Sequence, residues 1–107
     1  MDYTDRLLHL ALNDTSAGEH GFEPEVLDAK VVALVRLAAL IAIGGAVPTY
    51  GAEVDNAVSA GATTAEIVDV LAAAIPIVGL PSVVAAAPKV ALGLGYDPFD
   101  PELTAGS

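Results

Sequence analysis

Apolar positions along this chain recur at helical spacing, and no stretch alternates convincingly at the period of two that a half-buried strand requires. Near the start, Leu7, Leu8, Ala11 and Leu12 mark the buried side of a short helix over residues 4–12, with Thr4 as its N-cap. Turn formers at residues 13–18 (NDTSAG) stop it, and a polar connector over residues 19–25 follows. Asp28 is placed to cap a second helix that runs to about Ile43 and ends at Gly44 and Gly45. Val31, Val32, Leu34, Val35, Leu37, Leu40 and Ile41 leave this helix no polar face, the pattern of a buried element. Arg36 is its only charge after Lys30, and a charge in such a setting calls for a partner.

Pro48 suits position N1 of a third helix, which runs to Ala60 and is capped by Gly61. Tyr50, Val54, Ala57 and Val58 form its apolar stripe; Glu53 borders the stripe, and Asp55, Asn56 and Ser59 face away. Thr63 and Glu66 have capping-box spacing and open a fourth helix with Ile67, Val70, Leu71, Ala74 and Val78 at core positions. Pro76 should kink that helix near Ala72, because proline removes a backbone hydrogen bond. A last helix is expected from Pro81 to about Leu94, kinked or split at Pro88 and ended by Gly95. The pattern therefore predicts an all-α, compact helical bundle. Its divisions are residues 1–26 (helix and acidic connector), 27–95 (helical domain) and 96–107 (extended acidic tail).

Residues 70–88 carry no charge over nineteen positions, long enough to raise a membrane span. Three prolines and a glycine interrupt the run, and the helix start at Thr63 cuts across it, so a buried helical hairpin is the expectation. Composition adds a second requirement. The chain is 54% hydrophobic and 17% charged, too few polar side chains to cover a small monomer comfortably. A homo-oligomer that buries a further apolar face is expected. The net charge of −10 is concentrated at the ends, with seven acids in residues 2–28 and three more in 97–102. Such tails repel phosphate backbones and anionic membranes, so neither nucleic acid nor membrane is an expected partner. Cysteine is absent, which excludes disulfides, thiolate nucleophiles and cysteine-ligated metals. The opening MDYTDRLLHLAL lacks a basic n-region, so a cytoplasmic location is expected.

The segments LDAKVVALVRLAALIA, AVSAGATTAEIVDVLAAA and VGLP, in that order within residues 27–92, resemble the carboxymuconolactone decarboxylase family, which includes the alkylhydroperoxidase D type proteins. The Ala-Gly-Ala-Thr turn into Glu-Ile-Val is the most specific part. The resemblance implies an all-α fold that assembles as trimers or hexamers, with sites in clefts between helices or subunits. It implies a lactone decarboxylase in one branch and, in another, a peroxide reductase with a Cys-x-x-Cys pair followed by histidine. Counting back from Ala60 and Gly61, the family's histidine position falls on Glu53, its two cysteine positions on Ala46 and Thr49, and its acid on Ala33. The thiol chemistry is excluded by the missing cysteines. Decarboxylation needs a proton donor or cation at the developing enolate, a task Glu53 performs only when protonated.

Arg36 and Glu53 are the opposite charges best placed to meet, and two readings stand side by side. As a site, Arg36 would bind a substrate carboxylate and Glu53 would act as acid or base. As structure, they would form an ion pair between neighbouring helices, or Glu53 would simply lie in water. Tyr50 could donate to a ligand oxygen, although its place on the stripe suits core packing with a satisfied hydroxyl. His9 reads as a surface residue, and His20, in GEHG, has no companion at ligand spacing, so no metal is expected. No phosphate loop, nucleophile elbow or other cofactor motif is present. Two functions from different classes follow. One is a divergent oligomeric module that has lost the family's chemistry. The other is a small-molecule lyase or isomerase acting on a carboxylated or lactone substrate through Arg36 and Glu53.

Overall fold

A computed structural model describes residues 2–12 and 23–97, which form five helices and, among the described residues, no strand. They are α1 (Tyr3–Ala11), α2 (Ala29–Ile43), α3 (Val47–Ser59), α4 (Thr64–Val78) and α5 (Leu80–Gly93). The NDTSAG stop, His20 and the tail from residue 98 lie outside the described residues.

Helix starts follow local chemistry. Asp28 accepts from the Val31 N–H at 2.9 Å and caps α2. At α4 the capping box closes in both directions. The Glu66 N–H donates to Thr63 Oγ1 at 3.1 Å, and the Thr63 N–H donates to Glu66 Oε1 at 2.9 Å. Lys30 reaches the other Glu66 oxygen at 3.0 Å and ties the start of α2 to the start of α4. Pro48 occupies N2 of α3 rather than N1, because Val47 opens the helix and Ala46 caps it. α4 and α5 each run on through their proline. Pro76 falls two residues before the end of α4, and Pro88 lies inside one continuous element.

α2 to α5 enclose the core. Leu37 and Ile41 of α2, Tyr50 and Val54 of α3, Ile67 of α4 and Val90 of α5 are its largest fully buried side chains. α2 packs on α3, α4 and α5. α3 and α5 approach so closely that a side chain at Gly93 would meet Val54 Cβ at 3.1 Å and the Gly51 Cα at 3.3 Å.

Two expectations about burial need correction. α1 is capped by Asp2, whose side chain accepts from Asp5 N at 2.7 Å, and it buries none of its residues. Leu7, Leu8, Ala11 and Leu12 are all exposed. α2 is not enclosed on every side either: Val35 is 54% exposed, Ile43 is 83% exposed and Arg36 faces solvent. An apolar pattern all round a helix records what it avoids in water, and in a small chain that surface is not all covered by the chain itself.

Candidate functional site

The connector before α2, one face of α2 and the C-terminal half of α3 surround a cavity of about 570 Å³. On α2 its wall is Ala29, Val32, Ala33 and Arg36, at i, i+3, i+4 and i+7. On α3 and its C-cap it is Glu53, Asn56 and Ala60, at i, i+3 and i+7. Glu23, Pro24 and Leu27 of the connector close one side.

Helical spacing therefore aims Arg36 and Glu53 into one space. They do not neutralise each other: among the described residues the two form no ion pair. Arg36 is exposed. Glu53 is half-buried, and its Oε2 is shut off from solvent with no hydrogen-bond partner among the described residues. A buried oxygen left unpaired costs about 1–3 kcal/mol. Such an orphan invites an explanation beyond packing.

Tyr50 does not join them. It is 1% exposed, and its hydroxyl donates to the Leu40 carbonyl at 3.2 Å. Burial pushes its phenol above the ordinary value of 10.0. It lines a separate cavity of about 160 Å³ with Lys89, whose ammonium lies 5.7 Å from the Tyr50 ring centroid and donates to the Gly45 carbonyl at 2.7 Å. His9 is half-buried on α1.

Two residues of the main cavity were missed by pattern alone. Asn56 was assigned to the outward face, yet it lies three residues after Glu53 and shares its side of α3. Glu23 looked like one more acid of the connector, and only the fold brings it to the rim. Arg6 holds that rim. It pairs with Glu25 Oε2 at 3.2 Å and donates to the Glu23 carbonyl.

The arrangement offers a guanidinium fork for a carboxylate or carbonyl oxygen, a carboxyl for proton exchange and an amide for either role. Among the described residues, no three His, Asp or Glu side chains are grouped to hold a metal ion. No helix among them is long and apolar enough to cross a membrane.

The model of the carboxymuconolactone decarboxylase family matches residues 8–91, from within α1 to within α5. Comparison with curated proteins and with solved structures gives no match. Two of the four positions that the resemblance assigns to the family's site, Ala33 and Glu53, line the cavity, whereas Ala46 and Thr49 do not. The match takes in most of the chain and all of the helices that build the cavity, and the chain belongs to the carboxymuconolactone decarboxylase family.

Proposed function

We propose that this family member is a homo-oligomer, a trimer or hexamer, that has lost the family's thiol and histidine chemistry and keeps a cavity for a small carboxylated or lactone ligand. The observation that carries the reading is that Arg36 and Glu53 share the cavity wall without pairing with each other. A structural ion pair would bring the two charges within about 4 Å. Here the guanidinium is left with all its donors for an incoming carboxylate, and Asn56 stands beside Glu53 for a second polar contact. Glu53 puts a carboxyl on the same wall as the Arg36 cation, so a bound carboxylate belongs at Arg36 and a neutral or donor group at the Glu53 side.

Glu53 favours a second reading, a lyase or isomerase. A carboxyl beside an apolar wall can move a proton to or from a ligand held by Arg36. Calorimetric titration with small lactones and dicarboxylates tests both readings. The binding reading expects at least one to bind the parent and to lose tenfold or more in affinity with Arg36→Ala. Absence of binding by every member of the panel contradicts it. The enzyme reading expects in addition that Glu53→Gln binds the same ligand while turnover disappears; equal turnover by Glu53→Gln contradicts that.

A further inference from the structure

α1 touches none of the other four helices and buries none of its residues. Yet Tyr3, Leu7 and Leu10, at i, i+4 and i+7, make one apolar stripe along it, and all three are exposed. Helices shorter than about 12–15 residues are marginal in water, and α1 has nine. Packing of its stripe is what would hold it. The same chain carries an empty seat of matching chemistry. Between α2 and α4 runs a groove of about 500 Å³ lined by eleven residues, every one aliphatic, with Val35 and Ile77 on it. Ile77 is 87% exposed. On α2 the groove extends from Val31 to Ala42, roughly 16 Å at 1.5 Å per residue, against roughly 13 Å for α1.

The groove cannot be filled by its own α1 as the chain is arranged. Arg6 fastens α1 to Glu23 and Glu25, beside the α2–α3 cavity, whereas the groove opens on the α2–α4 side. Resting on the homo-oligomer reading above, we infer that α1 is an arm that seats its Tyr3–Leu7–Leu10 stripe in the α2/α4 groove of a second copy. Each copy has one arm and one groove, so reciprocal exchange covers both surfaces and head-to-tail exchange closes a ring. Area supports a second copy. In reciprocal exchange each side brings its eleven groove residues and its nine-residue arm, which reaches the lower end of the roughly 20–30 residues a side of a stable interface. Because Glu23 and Pro24 line the Arg36–Glu53 cavity, seating the arm also steadies that cavity's rim.

Light scattering on the full chain across a concentration series tests this with Leu7→Glu on the arm and Ile77→Glu in the groove. Both side chains are exposed, so in each variant helicity by circular dichroism should fall by no more than the nine residues of an unseated α1 contribute, with α2 to α5 retained. Each variant should associate at least tenfold more weakly than the parent. Mixing the two should restore association above either alone, because the Leu7→Glu chain still offers an intact groove and the Ile77→Glu chain an intact arm. An oligomer that survives Leu7→Glu while Ile77→Glu dissociates it would overturn the arm and leave the oligomer standing. A monomeric parent would overturn both.

Discussion

Tyr50 and Glu53 lie three residues apart on one helix and meet opposite fates. The Tyr50 hydroxyl is spent on the Leu40 carbonyl, which also accepts from the Gly44 N–H at 2.7 Å. That second donor matters for Tyr50→Phe. The carbonyl keeps a partner when the phenol is lost, so the substitution should cost only about 0.5–1.5 kcal/mol, the net worth of one hydrogen bond. Urea unfolding measures it, and a loss well above that range would mean the hydroxyl has a further role. Glu53 has no such partner for Oε2. The difference between the two was half legible in the sequence. A tyrosine on a stripe reads as core, but the spacing of Arg36 and Glu53 reads equally well as a pair or as a site. The fold adds that both line one cavity without an ion pair between them, which depends on how far two helices stand apart and is not written in spacing.

Among the elements, α4 is the one whose start is most completely written in residues. Thr63 and Glu66 cap it reciprocally, and Lys30 adds a tie to α2. Thr63→Ala should cost about 1 kcal/mol. The Glu66 carboxyl is held below its ordinary value of 4.5, first by the Thr63 N–H and then by its hydrogen bond to Lys30. A lowered folded value means stability that is complete above the ordinary carboxylate range and is lost as pH falls through the folded value. Stability of the parent should therefore fall on acidification below about pH 4.5 more steeply than that of Glu66→Gln. Parallel profiles from acid unfolding of the two would contradict the capping account. Caps and glycine stops are local, which is why the ends of α2, α3 and α4 were readable within a residue or so. Of the two outcomes expected at Pro88, a split does not occur, because α5 runs on through it. Pro76 stands in the last turn of α4, where only two helical residues follow it. The existence of α1 was readable too, but the burial expected at Leu7, Leu8, Ala11 and Leu12 was not met, since periodicity says which face is apolar and nothing about whether this chain covers it.

At the scale of the molecule, four helices close one core and leave an apolar surface and an acidic excess behind. The family membership and the all-α architecture came from the order of the small-residue helices and the Ala-Gly-Ala-Thr turn, features spread along the chain. What the cavity does was not written there, since the four positions to which the resemblance assigns the family's chemistry read Ala33, Ala46, Thr49 and Glu53 in this chain. The central claim is that the cavity of Arg36 and Glu53 holds a ligand, and the stability of the whole chain reports on it. A ligand present at about 100 times its Kd stabilises the folded state by about 2.7 kcal/mol. Sites of this kind are commonly kept at the expense of stability. Thermal unfolding of the parent and of Glu53→Ala, with and without a panel of small lactones and dicarboxylates, is the most direct test. The predicted result is that Glu53→Ala melts at the same temperature as the parent or higher, because an unpaired buried oxygen is removed, while the ligand-induced rise of the parent is lost. A fall of about 3–5 kcal/mol in Glu53→Ala, with no ligand raising the melting point of the parent, would make the two charges a structural pair and contradict the account.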